Sequence, residues 1–350
     1  MRRRGFGLIA VAALVALGTL FAAGCGSDSS SAGSTTTPEK KQTFTIALDW
    51  TPNTNHTGIY VAKEKGYFAE EGLDLKILPY SGANTDVLVA QGKADLGVSF
   101  VPQLLVSKSS GIPISAVAAI MSHNVESLAV LASSKYKSPK DLAVGTTYGG
   151  FGLPYEVPTW TAVMKADGAT NVDFKNVVLN TAAYEALFAK KIDWSAIFDA
   201  WEGIQAEQRG IKLRTFPISK YLGEAGNYPS AIFVAADKEI ADNPELLQKG
   251  LAALSKGYTY AAENPADAAK ILIGSDSSLE QAKDQVNASA AYLAPIYVGD
   301  SSQWGEFKQS SFEGLGTILA KAGALKDASG KPVTPTDYST FYTNDLLPKQ

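Results

Sequence analysis

The part of the chain richest in side chains that could bind a ligand is Asp49–His56, DWTPNTNH. It follows a segment in which Phe44 and Ile46 alternate with polar residues, the pattern of a half-buried strand. Thr57 is predicted to cap a helix, because apolar and aromatic residues then recur at helical spacing. A polar and aromatic loop therefore lies between a strand end and a helix, where open α/β sheets bind ligands. The alternative is an ordinary connection in which Trp50 fills the core.

Three further apolar segments in the first half of the chain are predicted strands separated by helices: residues 73–78, 94–100 and 114–121. The β-α-β order predicts a parallel, doubly wound α/β sheet whose strand ends gather on one rim. Those ends contribute Phe100, Gln103 and His123. Phe100 is either a core residue or a stacking face. His123 is either a hydrogen-bonded loop histidine or a partner for a ligand.

A glycine-rich segment, Tyr148–Pro154, precedes a helix in the second half of the chain. Free backbone N–H groups in such a turn can hold an anion or a polar ring edge, although no GKS or GKT ending makes it a Walker loop. The alternative is a tight turn in which glycine supplies positive φ. This region adds the candidates Tyr148, Gly150, Phe151, Tyr155 and Glu156. Glu156 either complements the helix dipole or accepts hydrogen bonds from an exocyclic amine.

The apolar segment Trp194–Phe198 is predicted as another strand, followed by Asp199 and Trp201. A carboxylate and an indole would then lie together at a strand end, where both could meet a ligand. A Trp at such a position is by itself more often a core residue. Beside the other strand ends, we interpret it as a ligand face.

Two extended segments, 128–131 and 230–236, can pair with each other and carry the chain out of one lobe and back. Two crossing strands form a hinge, with a cleft between the lobes. We therefore predict a two-lobed α/β fold of two doubly wound sheets, with lobe 1 at residues 43–130 and 231–350 and lobe 2 at residues 131–230. The helical segments of the C-terminal part are expected to pack on lobe 1.

The segments DWTPNTNHTG and YVAKEKGYFAEEGL, within residues 49–73, resemble the opening signature of periplasmic-type substrate-binding proteins of ABC transporters. They are most similar to the branch that binds thiamine-pyrimidine precursors, which shares its fold with the fungal thiamine pyrimidine synthase. The resemblance implies a type II periplasmic-binding-protein fold and a ligand contact in the glycine-rich segment. It also implies an ABC permease and its ATPase as partners.

The N-terminus has the features of an exported lipoprotein, as is often the case in this family. Three Arg precede an apolar run at residues 8–17, which is typical of a secretory signal peptide over residues 1–24. Cys25, the only cysteine, follows small residues as in a bacterial lipobox, although Ala22 stands where Leu is commoner. The alternative is an incidental thiol. Residues 25–42 are rich in Ser, Thr and Gly and are expected to form a flexible tether. The predicted location is the outer face of the cytoplasmic membrane, through a lipid on Cys25.

The charge of the chain excludes some classes of partner. Residues 1–24 contain three Arg and no acidic residue, so the rest of the chain has 28 basic against 35 acidic residues, a net charge of −7. This balance argues against nucleic acid and against a polybasic membrane patch. About 300 residues are enough for a two-domain core without disulfides, and we expect a monomer.

Thirteen candidate residues would line the cleft: Trp50, Asn53, His56, Phe100, Gln103, His123, Tyr148, Gly150, Phe151, Tyr155, Glu156, Asp199 and Trp201. Tyr228 is a further candidate. The set is aromatic, with neutral or acidic hydrogen-bonding groups. After the signal peptide only Arg209 and Arg214 remain, away from the predicted rims, so no Arg fork can grip a carboxylate, sulfonate or phosphate. A neutral or cationic nitrogen heterocycle fits, and the resemblance makes it a hydroxymethylpyrimidine or a formylaminopyrimidine.

An enzyme like the fungal synthase is the alternative class. That family makes the pyrimidine from pyridoxal phosphate and an active-site histidine, and it carries a cysteine-rich iron-binding segment. Here Cys25 is alone, Gln103 stands where the donated histidine is expected, and no set of ligands has metal-binding spacing. His56 matches a family histidine but lacks partners. We expect no catalysis, no cofactor and no metal. A receptor for another flat ring, such as riboflavin, remains open.

Overall fold

The computed structural model describes residues 41–299 and 303–349. The predicted signal peptide, Cys25 and nearly all of the predicted tether lie outside the described residues. The strands are β1 (Gln42–Ala47), β2 (Leu73–Leu78), β3 (Leu96–Ser99), β4 (Ile114–Ala119), β5 (Glu126–Leu131), β6 (Val144–Gly150), β7 (Asp173–Val178), β8 (Trp194–Phe198), β9 (Leu213–Pro217) and β10 (Ile232–Ala236). The α-helices are α1 (Thr57–Glu64), α2 (Tyr67–Glu70), α3 (Thr85–Ala90), α4 (Val101–Ser109), α5 (Glu156–Ala166), α6 (Ala182–Phe188), α7 (Ile204–Gln208), α8 (Ile218–Leu222), α9 (Asp237–Asp242), α10 (Pro244–Glu263), α11 (Pro265–Ser275), α12 (Lys283–Val298) and α13 (Ser310–Lys321).

The strands form two five-stranded sheets, in the orders β2-β1-β3-β10-β4 and β7-β6-β8-β5-β9. In the first sheet β1 is parallel to β2 and β3, whereas β10 is antiparallel to β3 and β4. In the second sheet β6 is parallel to β7 and β8, whereas β5 is antiparallel to β8 and β9. The predicted α/β fold with two sheets is confirmed. The sheets are mixed and not wholly parallel, because β5 and β10 each enter from the other sheet and run in the opposite direction.

The predicted pairing between residues 128–131 and 230–236 is wrong. β5 pairs with β8 and β9 in the second sheet, and β10 pairs with β3 and β4 in the first. Both strands are buried at nearly every position because each fills an inner place in its own sheet. The chain crosses between the sheets outside the strands, at residues 120–125 and 218–231. There the Asn124 side-chain amide donates to the Gly226 carbonyl at 3.0 Å, and Val125 N–H donates to Ser230 Oγ at 2.8 Å.

The first sheet has a hydrophobic core on each face. Phe44 and Ile46 of β1 are fully buried on one face, against apolar residues of α10 and α12. On the other face Ile114 packs with residues of α4 and α13. The expectation that C-terminal helices pack on the first sheet is therefore confirmed. Within the described residues, no helix has the length and apolar character needed to span a bilayer.

Candidate functional site: the cleft between the two sheets

A cavity of about 380 Å³ lies between the two sheets, at the carboxyl ends of their parallel strands. The connections after β1, β2 and β3 line it from the first sheet, and those after β6, β7 and β8 line it from the second. This is the position at which open α/β sheets bind ligands. Its volume lies at the low end of the about 300–1,000 Å³ typical of small-molecule sites.

Eight of the thirteen predicted site residues line this cavity: Trp50, Asn53, Phe100, Gln103, Phe151, Tyr155, Glu156 and Trp201. They come from both sheets, so the structure brings together residues as far apart in the sequence as Trp50 and Trp201. Their role in binding a ligand stays a prediction.

The loop before α1 owes its shape to Asn53 and His56. The Asn53 side-chain oxygen accepts the backbone N–H of Asn55 at 2.8 Å, and His56 Nδ1 accepts the backbone N–H of Asn53 at 3.3 Å. These bonds form a capping box around the short 3₁₀ turn Thr54–His56. The predicted cap, Thr57, is instead the first residue of α1, and its hydroxyl donates to the Thr54 carbonyl at 2.9 Å.

His56 and His123 are not among the residues that line the cavity, which corrects the prediction for both. The His56 ring is fully buried and turned inward, because its Nδ1 completes the capping box. Its Nε2–H then donates to Asp49 Oδ1 at 2.8 Å, which fixes a carboxylate that does line the cavity. His123 Nδ1 lies 3.0 Å from Ser122 Oγ. This matches the alternative of a hydrogen-bonded loop histidine.

Tyr148 and Gly150 are also absent from the lining, because β6 runs through the predicted glycine-rich turn to Gly150. Strand alternation turns the Tyr148 ring into the core of the second sheet, with its centroid 4.4 Å from that of Trp194. A side chain at position 150 would overlap the Tyr148 ring and hydroxyl. Gly150 therefore serves packing, and Tyr148, contrary to prediction, is not part of the lining.

Glu156 organises the connection between β6 and α5. Its Oε1 accepts the Tyr148 hydroxyl at 2.9 Å and the N–H of Phe151 at 3.0 Å. Its Oε2 accepts the N–H groups of Gly152 at 2.7 Å and Leu153 at 2.9 Å. The backbone N–H groups predicted to be free for an anion are thus occupied. Glu156 holds Phe151 in the cavity wall, and its oxygens are already saturated by protein donors.

The segment Asp199–Gly203 forms a single π-helical turn after β8, a geometry frequent at functional sites. Trp201 lines the cavity, and its carbonyl accepts the Gln285 side-chain amide at 3.1 Å. Asp199, contrary to prediction, is not part of the lining. Its Oδ2 accepts the Ser127 hydroxyl at 2.7 Å, and burial raises the pKa of Asp199 to about 6.

Two half-buried carboxyls that sequence reasoning missed line the cavity, Glu126 and Glu202. Glu126 escaped because the strand that it opens was predicted to begin at residue 128. Glu202 stands one position after Trp201, so the same strand-end argument could have included it. Burial raises the pKa of Glu126 to about 7 and that of Glu202 to about 7. Tyr228, the further candidate, is buried and donates its hydroxyl to Glu126 Oε2 at 3.2 Å.

A row of aromatic rings crosses the cavity and includes two residues that were not predicted, Tyr80 and Tyr184. The Trp50 ring lies 4.9 Å from Tyr80 and 6.0 Å from Phe151, edge to face with the latter. Phe151 lies 6.2 Å from Tyr184. Because Trp50 follows β1 and Phe151 follows β6, their contact bridges the two sheets. Tyr80 lies two residues after the end of β2, so its position near a strand end was a usable signal.

The polar groups of the cavity are acidic or neutral. Its lining includes Asp49, Glu126, Glu156 and Glu202 and, within the described chain, no Lys, Arg or His. In the lining from α4, the Gln103 side-chain amide donates to Ser107 Oγ at 3.0 Å, and the Ser107 hydroxyl donates to Asp86 Oδ2 at 2.6 Å. In the described ranges no group of three or more His, Cys, Asp or Glu side chains could hold a metal ion.

Comparison with known proteins defines first a class and then a family. The ligand-binding component of an ABC-type import system from Staphylococcus aureus matches with a TM-score of 0.64 and 14% identity, over 87% of this chain and 98% of that one. The fold is therefore that of the periplasmic binding proteins. The profile described as NMT1/THI5 like matches residues 53–268.

Two relatives carry different activities in their names. The formylaminopyrimidine-binding protein of Halalkalibacterium halodurans is 30% identical over 269 residues, 73% of this chain and 76% of that protein. The 4-amino-5-hydroxymethyl-2-methylpyrimidine phosphate synthase THI5 of Saccharomyces cerevisiae is 26% identical over 321 residues, 87% of each chain. The chain belongs to the NMT1/THI5-like family.

Proposed function

We propose that the protein is an extracytoplasmic receptor that binds an aminopyrimidine precursor of thiamine and delivers it to an ABC importer. The observation that carries the proposal is the lining of the cavity, which has aromatic walls, four carboxyls and, in the described chain, no cationic side chain. Such a lining suits a flat, neutral or basic nitrogen ring. The names of the relatives make hydroxymethylpyrimidine and formylaminopyrimidine the first candidates.

The aromatic row and the polar groups of the lining together supply binding energy of the order that such a ligand needs. An aromatic pair contributes about 0.5–1.5 kcal/mol beyond the area that it buries, and a hydrogen bond contributes about as much in net terms. A micromolar Kd needs about −8 kcal/mol. Two stacked faces, the buried ring area and a few bonds to Asn53, Gln103 or the carboxyls are of that order.

A receptor fits the cavity better than a synthase does. The synthases of the family are named for a pyrimidine phosphate, and a phosphate ester needs cations or free N–H groups around it. The lining has no Lys, Arg or His in the described chain, and Glu156 occupies the N–H groups of the connection after β6. Cys25 is the only cysteine, and Gln103 stands where the donated histidine is expected. We therefore propose that the protein is not an enzyme.

We further propose that each sheet belongs to one lobe and that the lobes move about the crossings at residues 120–125 and 218–231. This revises the predicted boundaries, because β5 belongs to the second sheet. Bonds such as that from Asn124 to Gly226 hold the two crossing segments together. They would rotate as one hinge.

The cellular setting completes the proposal. Residues 1–24 would be removed as a signal peptide, and a lipid on Cys25 would anchor a monomer to the outer face of the membrane. An ABC permease with its ATPase would then be the partner. The support for this setting is the sequence of the N-terminus and the fold shared with import components.

Calorimetric titration tests the proposed function. We expect 4-amino-5-hydroxymethyl-2-methylpyrimidine, called hydroxymethylpyrimidine below, or formylaminopyrimidine to bind once per chain with a micromolar or lower Kd. The phosphate ester of hydroxymethylpyrimidine should bind at least about 100-fold more weakly, because its charges would face carboxyls without a cation. Equal or tighter binding of the phosphate ester, or no binding of any of the three, would contradict the proposal.

A further inference from the structure

Glu126 and Glu202 reach the cavity from two neighbouring elements. Glu126 is the first residue of β5, and Glu202 lies in the π-helical turn that follows β8. Because β5 pairs with β8, with Glu126 opposite Phe198, both carboxyls line the same part of the second sheet's rim. The negative charge of Glu126 contributes to raising the pKa of Glu202.

The protein donates little to these two carboxyls. Glu126 Oε2 accepts the Tyr228 hydroxyl at 3.2 Å, and Glu202 Oε2 accepts the N–H of Phe198 at 3.0 Å. The other titratable groups that act on them are acidic or phenolic, from β6 to the π-helical turn: Glu156, Asp199, Tyr155 and Tyr184. In the described chain no cationic side chain lines this cavity. Two ionised carboxylates in this place would be costly without a positive partner.

The raised pKa values of the two carboxyls follow from that geometry. Burial, and then the neighbouring carboxylates, raise the pKa of Glu126 to about 7 and the pKa of Glu202 to about 7. Near pH 7 the carboxyls of Glu126 and Glu202 are therefore partly protonated in the ligand-free protein, and they lose their protons as the pH rises.

We propose that ligand binding takes up one proton, which is held between a ring nitrogen of the ligand and the carboxyls of Glu126 and Glu202. The inference rests on the proposed function and narrows the ligand class to a weakly basic ring that carries an amine beside the ring nitrogen. Such a ring forms two parallel hydrogen bonds with one carboxyl group. The shared proton lies either on the ring nitrogen or on the carboxyl. In both cases the same two hydrogen bonds join the ring and the carboxyl.

The sign of the pH dependence follows from the proton count. Above about pH 7 the free carboxyls and the free ring are both unprotonated, so the complex gains a proton and the Kd rises about tenfold per pH unit. Below about pH 6 both free carboxyls are protonated. In the complex one of these protons is shared with the ring and the other stays on its carboxyl, so the proton count does not change and the Kd levels off.

Calorimetry of hydroxymethylpyrimidine from pH 6 to 8.5, in buffers with different protonation enthalpies, measures this uptake. We expect about one proton per ligand at pH 8 and close to none at pH 6. Glu126→Gln or Glu202→Gln should remove the slope of Kd against pH, because an amide side chain does not ionise between pH 6 and 8.5. Glu64→Gln, at an exposed position of α1, is the matched control and should keep it. The ligand control is 2-amino-4-methylbenzyl alcohol, which has the same substituents without ring nitrogens and should show no slope.

A pH-independent Kd of the unmodified protein would overturn the inference while the proposed function stands. If both glutamine variants keep the slope of Kd against pH, the inference is also overturned while the proposed function stands. If no pyrimidine binds, the proposed function fails, and the carboxyls are tested separately by ¹³C NMR titration of Glu side chains in the ligand-free protein. Two signals that titrate near pH 7 and vanish in the two variants would support the proton-holding pair. Titration of every Glu signal near its ordinary pKa would rule it out.

Discussion

Trp50 shows how one side chain joins the two halves of the site. It follows β1, and its ring meets Tyr80 on its own side and Phe151 on the other. Its ring is half-buried and lines the cavity, whereas the Trp194 ring is wholly enclosed in the core of the second sheet. We therefore expect a change of Trp50 to affect ligand binding and a change of Trp194 to affect stability.

Trp50→Ala should raise the Kd for hydroxymethylpyrimidine by at least about tenfold, since a lost stacking face and its buried area exceed about 1.4 kcal/mol. Its melting temperature should change little. Trp194→Ala is the contrasting control and should lower stability by about 3–5 kcal/mol. Calorimetry and thermal unfolding measure the two effects. Unchanged affinity in Trp50→Ala would place the ligand elsewhere.

Three half-buried carboxyls also predict how the stability of the free protein depends on pH. The pKa of Asp199 is raised to about 6 and those of Glu126 and Glu202 to about 7, mainly by burial. Ordinary carboxyls titrate near 4 in the unfolded chain. The folded state therefore holds more protons between about pH 4.5 and 7, so stability falls as the pH rises through that window.

Thermal unfolding without ligand should accordingly give a higher melting temperature at pH 5.5 than at pH 7.5. The difference should shrink in the double variant Glu126→Gln, Glu202→Gln, which has lost two of the three groups. An equal difference in both proteins would show that these carboxyls titrate normally.

At this scale the sequence predicts residues that follow a strand directly, and it misjudges those whose direction depends on packing. Trp50 was predicted from the alternating strand before it, and Phe100 from the apolar segment 94–100 that it ends. His56 has the same kind of position, yet the capping box turns its ring away from the cavity. Tyr148 could not be placed without knowing that β6 continues to Gly150.

At the scale of elements, the loop before α1 is held in place by two helices of the C-terminal part. The Tyr258 hydroxyl of α10 donates to the Asn55 carbonyl at 2.7 Å, and the Tyr297 hydroxyl of α12 donates to the Thr54 carbonyl at 2.7 Å. α10 can approach α1 this closely because Gly257 faces Gly58, where a Cβ would overlap the Gly58 carbonyl oxygen.

Gly257→Ala should therefore lower the free energy of unfolding by about 1–3 kcal/mol, the usual cost of overpacking. It should also weaken ligand binding, since the loop that carries Trp50 and Asn53 would shift with α1. Gly274→Ala in α11 is the matched control, because no atom lies within 4 Å of its added Cβ. It should leave stability unchanged or raise it by about 1 kcal/mol. Chemical unfolding curves decide this, and equal values for the two variants would count against the close contact.

Most elements could be predicted because their patterns are local. β1 alternates, and α10 presents apolar residues on one face. The partners of β5 and β10 could not be predicted, because two apolar segments of similar length fit either sheet. Which sheet each segment joins depends on how all ten strands of the described chain are arranged, and the sequence of the segment alone does not determine this.

At the scale of the whole molecule, contacts across the cavity hold the two sheets close together. Trp50 meets Phe151, and the Phe100 ring lies 5.9 Å from Phe198. The first member of each pair follows a strand of the first sheet, and the second belongs to the second sheet or follows one of its strands. We take this arrangement as the closed form of the cleft, and we expect the ligand-free protein to populate an open form as well, through which a ligand enters.

Small-angle scattering should show a smaller radius of gyration with saturating hydroxymethylpyrimidine than without it, because the ligand adds contacts to both sheets in the closed form. Phe100→Ala, which removes one contact across the cavity, should increase the radius of the ligand-free protein. Superimposable curves with and without ligand would argue against movement about the crossings.

Native mass spectrometry of the protein mixed with competing solutes tests the central claim most directly. The mixture contains equal amounts of hydroxymethylpyrimidine, formylaminopyrimidine, hydroxymethylpyrimidine phosphate, taurine and riboflavin. We predict one bound molecule per chain, with the mass of one of the two unphosphorylated pyrimidines. A complex with the phosphate, the sulfonate or riboflavin, or a chain that stays free of all five, would contradict the account.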